Sequence, residues 1–77
     1  MKSVNVCLNT VEKVKDFVNA IAMMEGDFDL ASDRYVVDAK SIMGIFSLDL
    51  SKVLRLDIHS EAAAEKAMPL LAPFVVE

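Results

Sequence analysis

The spacing of apolar residues switches several times between a two-residue and a helical period, and the order of these switches is what most constrains the fold. At the start of the chain Val4, Val6 and Leu8 occupy every second position, which is typical of a strand with one buried face. The next apolar stripe repeats at helical spacing and comprises Val14, Val18, Ile21 and Ala22. The chain is therefore predicted to begin with a strand followed by an amphipathic helix.

Two further strands are predicted in the middle of the chain, followed by a short helix and a fourth strand. Phe28 and Leu30 have the two-residue period of a strand. A turn over residues 32–34 leads into the β-branched run 35–37, so these segments predict a hairpin. Ser41 is a favourable residue for the N-cap of the short helix. The last alternating run comprises Leu54, Leu56 and Ile58.

The end of the chain predicts a last helix and an apolar tail. The apolar stripe of this helix comprises Ala63, Ala67, Leu70 and Leu71. Pro69 has no backbone donor and its ring clashes with the carbonyl four residues earlier, so the helix is expected to kink or end near Met68. Residues 74–76 are then expected to pack as an apolar tail.

The resulting order of elements is βαββαβα. Because each strand has one apolar face and each helix a matching stripe, the simplest arrangement is an α+β fold whose antiparallel sheet carries helices on one side. The 77 residues are enough for one domain, and 55% of them are hydrophobic, which is sufficient for a small core. We therefore expect a single domain over residues 1–77.

Charge and composition exclude several classes of function. The formal net charge is −4 and the 8 lysine and arginine residues form no basic run, which argues against nucleic-acid binding. No apolar run is long enough to span a bilayer and the start of the chain lacks the apolar region of a signal peptide, so no membrane association is expected. Cys7 is the only cysteine, which excludes an internal disulfide and favours a reducing, cytoplasmic setting.

The segment 40–48 resembles part of a known family. Its residues Lys-Ser-Ile-Met-Gly, followed by Ile-Phe-Ser-Leu, resemble the regulatory-serine segment of HPr, the histidine-containing phosphocarrier of the phosphoenolpyruvate-dependent sugar phosphotransferase system. The order of the predicted elements also agrees with HPr over nearly the whole chain. The resemblance implies one HPr-like domain over residues 1–77, with a four-stranded antiparallel sheet in the order 1-4-2-3 and three helices packed on one face.

The same resemblance indicates which functional group is missing. In HPr the phosphorylated histidine caps the first helix, and an arginine follows two residues later. When the chain is aligned with HPr on the serine segment and the alignment is extended without a gap to the first helix, Thr10 occupies the histidine position and Glu12 the arginine position. A threonine phosphate is a stable ester, and Glu12 would place negative charge beside the phosphoryl group. The carrier chemistry is therefore expected to be absent, and the chain is similar to the catabolite-repression paralogues of HPr, which lack the histidine.

His59 is the only histidine and lies far along the chain from the first helix. A lone histidine near acidic residues is a weak pattern for a metal site or an acid–base pair, so we interpret it as a solvated turn or cap residue. The sequence contains no paired catalytic carboxylates, no Cys/His pair at catalytic spacing and no glycine-rich phosphate loop. We expect no enzymatic activity, no metal and no cofactor.

Ser41 has two compatible interpretations. It caps the short helix, or it is also phosphorylated, as the corresponding serine of HPr is in many Gram-positive bacteria by a bifunctional kinase/phosphorylase. A phosphate there, with Lys40 adjacent, would add roughly two negative charges beside Ile42, Met43 and Phe46, which are expected to be partly exposed and to bind partners. The resemblance implies as partners the HPr-type serine kinase/phosphorylase and phosphotransferase-system or transcriptional-regulator proteins, with the chain itself a monomer or a weak homodimer.

The sequence thus predicts a regulatory binding protein of the phosphotransferase system or of carbon catabolite repression, controlled by phosphorylation of Ser41. Three alternatives stay open. The first is a residual phosphocarrier that uses Thr10 or His59. The second is a protein-interaction module that needs no phosphorylation, and the third is a domain that persists only as a subunit of a larger assembly.

Overall fold

The computed structural model describes residues 2–76. Its elements in chain order are β1 (Lys2–Val6), α1 (Val11–Ala22), β2 (Phe28–Ala31), β3 (Val36–Asp38), α2 (Ile42–Phe46), β4 (Leu54–Ile58), α3 (Glu61–Leu71) and β5 (Val75–Val76). The first seven elements follow the predicted order βαββαβα, and the fold is of the predicted α+β class. Within the described residues, no helix is long and apolar enough to cross a membrane.

The strands form an antiparallel sheet in the order β3-β2-β4-β1-β5. Read from β1 the first four strands lie in the order 1-4-2-3, but the prediction of a four-stranded sheet was wrong. The segment that the sequence indicated as an apolar tail adds a fifth strand, in which Val75 pairs with Val6 and Val76 with Asn5. The backbone N–H of Cys7 donates to the carbonyl of Phe74 at 2.9 Å, which brings the tail to this edge.

The last helix was predicted to kink or end near Met68, and an end there is wrong, because α3 continues to Leu71. Pro69 still removes one backbone donor. The last turn is held by tertiary packing instead, since Ala67 and Leu71 are fully buried in the core. Phe74 follows and stacks edge-on against Phe17, with ring centroids 5.7 Å apart.

The core lies between the three helices and one face of the sheet. Alternate strand residues point into it, and they pair with one another across the strands: Val6 with Leu54, Leu56 with Leu30, and Ile58 with Phe28. Each helix adds buried residues to the same cluster, among them Phe17, Ile45 and Leu71. The opposite face of the sheet carries most of the polar strand residues and is left open, namely Ser3, Asn5, Asp29, Asp38, Arg55 and Asp57.

The two ends of the sheet carry different loops, and this decides what lies near the start of α2. β1 leads from Val6 into α1, which returns over the sheet towards the opposite end, where β2 begins. β3 ends at that opposite end, because Asp38 pairs with Asp29 of β2. β4 ends there as well, because Ile58 pairs with Phe28. The end of α1, the start of α2 and the turn after β4 are therefore neighbours, and we call this the Asp38 end of the sheet.

Candidate functional site

Ser41 is the N-cap of α2. Its backbone is extended, with φ −95° and ψ 106°, and its hydroxyl accepts a hydrogen bond from the backbone N–H of Gly44 at 3.2 Å. Its own N–H donates to the carbonyl of Asp38 at 3.0 Å, which fixes the turn between β3 and α2. The cap interpretation of Ser41 is confirmed, and its side chain is exposed to solvent.

Gly44 has a packing reason to be glycine. A Cβ atom at this position would lie 3.3 Å from the Ser41 hydroxyl oxygen and 3.3 Å from the Cβ of Val37. Both contacts are tighter than ordinary van der Waals distances. The missing side chain therefore lets α2 lie close against β3 while the cap hydrogen bond is kept.

The apolar residues of α2 divide between the surface and the core. Met43 is 78% exposed and Phe46 is 41% exposed, whereas Ile45 is fully buried. Ile42 is half-buried against the core. We call Ile42, Met43 and Phe46 the α2 patch. Their partial exposure was predicted, but a role in binding partners stays a prediction.

Lys40 precedes Ser41, but its side chain is engaged elsewhere. The ammonium group donates a hydrogen bond to the carbonyl of Met24 and lies 5.4 Å from the ring centroid of Phe28. The Lys40 backbone N–H donates to the carboxylate of Asp38 at 2.9 Å. Lys40 therefore links the start of α2 to the segment just after α1, and no sequence pattern predicts this link.

Asp49 places a fixed negative charge shortly after α2. The hydroxyl and backbone N–H of Ser51 donate to this carboxylate, the N–H at 3.1 Å, and they hold the pKa of Asp49 below its ordinary value. The carboxylate is exposed to solvent and remains ionised throughout the neutral range.

Thr10 and Glu12 lie at the start of α1. Thr10 is the N-cap, and its hydroxyl accepts from the backbone N–H of Lys13 at 3.1 Å. Glu12 is exposed in the first turn, where its negative charge interacts favourably with the positive end of the helix dipole. Twelve residues of α1 separate this site from Met24, a rise of about 18 Å. Thr10 and Ser41 therefore lie near opposite ends of α1.

His59 lies at the Asp38 end, beside a carboxylate. Its Nε2 atom is 2.7 Å from Oδ2 of Asp29, and its backbone N–H donates to the carbonyl of Asp27 at 3.1 Å. His59 and Asp29 line a cavity of about 480 Å³ together with Asp38 and Lys40. Among residues 2–76, no three histidine, cysteine or carboxylate side chains are arranged to hold a metal ion. The sequence could not indicate the pairing of His59 with Asp29, since it depends on the strand order.

Asp57 is a buried carboxylate on the open face of the sheet. The hydroxyl of Ser3 donates to it across the β1–β4 pair at 2.7 Å, and Nε of Arg55 donates at 3.1 Å. Burial raises the pKa of Asp57, but the bonds from Ser3 and Arg55 outweigh it and leave the pKa below its ordinary value. The bond from Ser3 links β1 to the central strand β4, on the face of the sheet opposite the helices.

Comparison with solved structures relates the fold to a known protein. HPr-C-His from Thermoanaerobacter tengcongensis superposes with a TM-score of 0.74 and 27% sequence identity, over 94% of this chain and 92% of that chain. No protein-family model matches the chain, and no curated protein does. The chain therefore has an HPr-like fold, and the likeness supports an HPr-like protein of the phosphotransferase type.

Proposed function

We propose that this chain is an HPr-like regulatory protein of the sugar phosphotransferase system or of carbon catabolite repression. It binds other proteins through the α2 patch, phosphorylation of Ser41 controls this binding, and it carries no phosphohistidine. The observation that carries the proposal is the exposed Ser41 hydroxyl at the start of a helix whose Met43 and Phe46 side chains are exposed.

The charge of a phosphate on Ser41 would act on partners more than on the fold. A phosphoserine remains compatible with the N-cap, because its oxygens accept from the same backbone N–H groups. The Lys40 ammonium is already bonded to the carbonyl of Met24, so it does not neutralise the new charge without leaving that partner. Roughly two added negative charges then stand beside the α2 patch. Partners with basic residues at the edge of the interface gain affinity, and partners with acidic residues there lose affinity.

Two features of α1 argue against a phosphocarrier that uses Thr10. A threonine phosphate is a stable ester and transfers poorly. Glu12 stands in the first turn, where a carrier needs a cation beside the phosphoryl group. Thr10 therefore serves as a helix cap.

The pair formed by His59 and Asp29 favours a second candidate function, a residual phosphocarrier. Asp29 engages Nε2 of the ring, which leaves Nδ1 as the nitrogen that would accept a phosphoryl group. Asp27, Asp29 and Asp38 line the same cavity, and their charges would oppose a phosphoryl group there. The regulatory function is therefore preferred.

Intact-mass spectrometry after two parallel incubations tests both functions. One incubation contains phosphoenolpyruvate and the first, histidine-phosphorylating enzyme of the system, and the other contains ATP and an HPr-type serine kinase. We expect one phosphate to be gained in the second incubation alone. Ser41→Ala should abolish it, and Ser47→Ala, which changes an exposed serine at the other end of α2, should not.

Two outcomes would contradict the proposal. Acid-labile phosphate gained in the first incubation and lost in His59→Gln would establish the residual phosphocarrier instead. A phosphate gained equally by the wild type and by Ser41→Ala would place the regulatory modification elsewhere.

A further inference from the structure

The turn between β3 and α2 is held by both the backbone and the side chain of Asp38. The Lys40 backbone N–H donates to the Asp38 carboxylate at 2.9 Å, and the Ser41 N–H donates to the Asp38 carbonyl at 3.0 Å. A carboxylate that accepts from the N–H two residues later forms an Asx turn, which fixes the local backbone. The N–H of Ala39 donates to the carbonyl of Phe28 at 2.8 Å, so the turn is also attached to β2.

The Ser41 hydroxyl is held from the other side and stays accessible. Its oxygen accepts from the backbone N–H of Gly44 at 3.2 Å, and its side chain is exposed. This bond uses a lone pair of the oxygen and leaves the hydroxyl proton and the second lone pair free for an enzyme. The chain therefore presents an ordered hydroxyl on the surface.

The Asp38 side chain contributes to this turn and not to the sheet. Asp38 lies directly across from Asp29, and like charges in that position destabilise a pair of strands. The ring of His59 bonds to Asp29 and not to Asp38. Within residues 2–76 the Asp38 carboxylate forms no ion pair, and the bond from the Lys40 N–H is the only hydrogen bond that it accepts. Its favourable interaction is therefore the one that orders the residues before Ser41.

We infer that Asp38 is a positioning residue for the phosphorylation of Ser41. The inference rests on the proposed function. In that reaction the Ser41 oxygen bonds to the γ-phosphorus of ATP, the bond from this phosphorus to the departing ADP oxygen breaks, and the hydroxyl proton passes to a base of the kinase. Such a transfer depends on exact placement of the attacking oxygen. Asp38 acts on that placement through the backbone of Lys40 and Ser41.

Steady-state kinetics separate this role from others. If the kinase binds the chain only when the turn is ordered, loss of order lowers the binding-competent fraction, so KM rises and kcat at saturation is kept. With a purified HPr-type serine kinase and ATP, Asp38→Ala should raise the KM for this chain roughly fivefold at unchanged kcat. Asp38→Asn keeps an oxygen that accepts from the Lys40 N–H, so its KM should stay within about twofold of the wild type.

Two control variants and one further measurement complete the test. Asp33→Ala removes the same charge at an exposed position in the turn between β2 and β3, and its KM should be that of the wild type. Ser3→Ala breaks a bond outside the turn and should also leave the KM unchanged, which separates the role of Asp38 from a general loss of stability. Hydrogen exchange measured by NMR without kinase should be accelerated at the Ser41 amide in Asp38→Ala and not in Asp38→Asn.

The outcomes distinguish this inference from the proposed function. A wild-type chain that gains no phosphate on Ser41 would refute the proposed function and the role of Asp38 together. If the wild type is phosphorylated there and Asp38→Ala has the same KM, only the role of Asp38 is refuted. Equal losses in Asp38→Ala and Asp38→Asn would mean that the kinase reads the negative charge, which also contradicts a positioning role.

Discussion

The Lys40 ammonium group donates a hydrogen bond to the backbone carbonyl of Met24 and so joins the residue before Ser41 to the end of α1. Met24 lies two residues after the end of α1, close to the negative end of the helix dipole, which favours a cation there. The same ammonium lies over the ring of Phe28, whose side chain is buried. One side chain thus connects α1, β2 and α2 at the Asp38 end of the sheet.

Removing this connection should cost measurable stability. We expect Lys40→Ala to lower the free energy of unfolding by about 1 kcal/mol, through loss of a charged hydrogen bond and a cation–π contact. Lys15→Ala changes an exposed lysine on α1 and should cost less than about 0.5 kcal/mol. Urea unfolding monitored by circular dichroism measures both. Equal costs for the two variants would mean that the Lys40–Met24 bond contributes nothing in solution.

The cap of α2 gives a second prediction. Ser41→Ala removes the acceptor of the Gly44 N–H and should lower the free energy of unfolding by about 1 kcal/mol. Ser41→Asp keeps a capping oxygen, so its stability should stay within about 0.5 kcal/mol of the wild type. Denaturant unfolding compares both with Ser47→Ala, which leaves the N-cap intact and removes only the bond from the Ser47 hydroxyl to the Gly44 carbonyl. A Ser41→Asp variant as unstable as Ser41→Ala would contradict the capping role.

The local features of this fold could be predicted from the sequence, and the long-range ones could not. A serine cap and a change of apolar period can be seen within a few adjacent residues, so the capping role of Ser41 and the position of α2 were predicted correctly. β5 is only 2 residues long and pairs with β1 at the other end of the chain, so nothing within residues 75–76 distinguishes a strand from a tail. α3 passes Pro69 because buried Leu71 holds the last turn, and tertiary packing of this kind overrides the local signal.

The same distinction holds for the candidate site. The partial exposure of the α2 patch could be predicted from the spacing of apolar residues within one short segment. The pairs Lys40–Met24 and His59–Asp29 join residues 16 and 30 positions apart, and they meet only because β2, β3 and β4 are neighbours in the sheet. The residue types of these pairs are visible in the sequence, but which residue contacts which is not.

The bond between Ser3 and Asp57 predicts a dependence of stability on pH. The pKa of Asp57 is lower in the folded chain than its ordinary value, so its ionised form stabilises the fold above about pH 4. That contribution is lost as the pH falls through the folded pKa. Ser3→Ala should therefore lower the free energy of unfolding by about 1 kcal/mol at neutral pH and by less at roughly pH 2 to 3.

Urea titrations at the two pH values measure this difference. Asn5→Ala is the control, because Asn5 lies on the same strand and the same open face without contacting Asp57 through a hydrogen bond. Its cost should not change with pH. If the cost of Ser3→Ala were the same at both values, the coupling of this bond to the ionisation of Asp57 would be refuted.

The division of α2 between surface and core gives the last prediction. Met43 is 78% exposed and Ile45 is fully buried, although both are apolar and lie in the same helix. Met43→Ala should change the free energy of unfolding by less than about 0.5 kcal/mol, because little buried surface is lost. Ile45→Ala should lower it by about 2 to 4 kcal/mol, because it leaves a cavity. Denaturant unfolding of the two variants separates these roles, and a large cost for Met43→Ala would mean that the side chain belongs to the core and is not free to bind a partner.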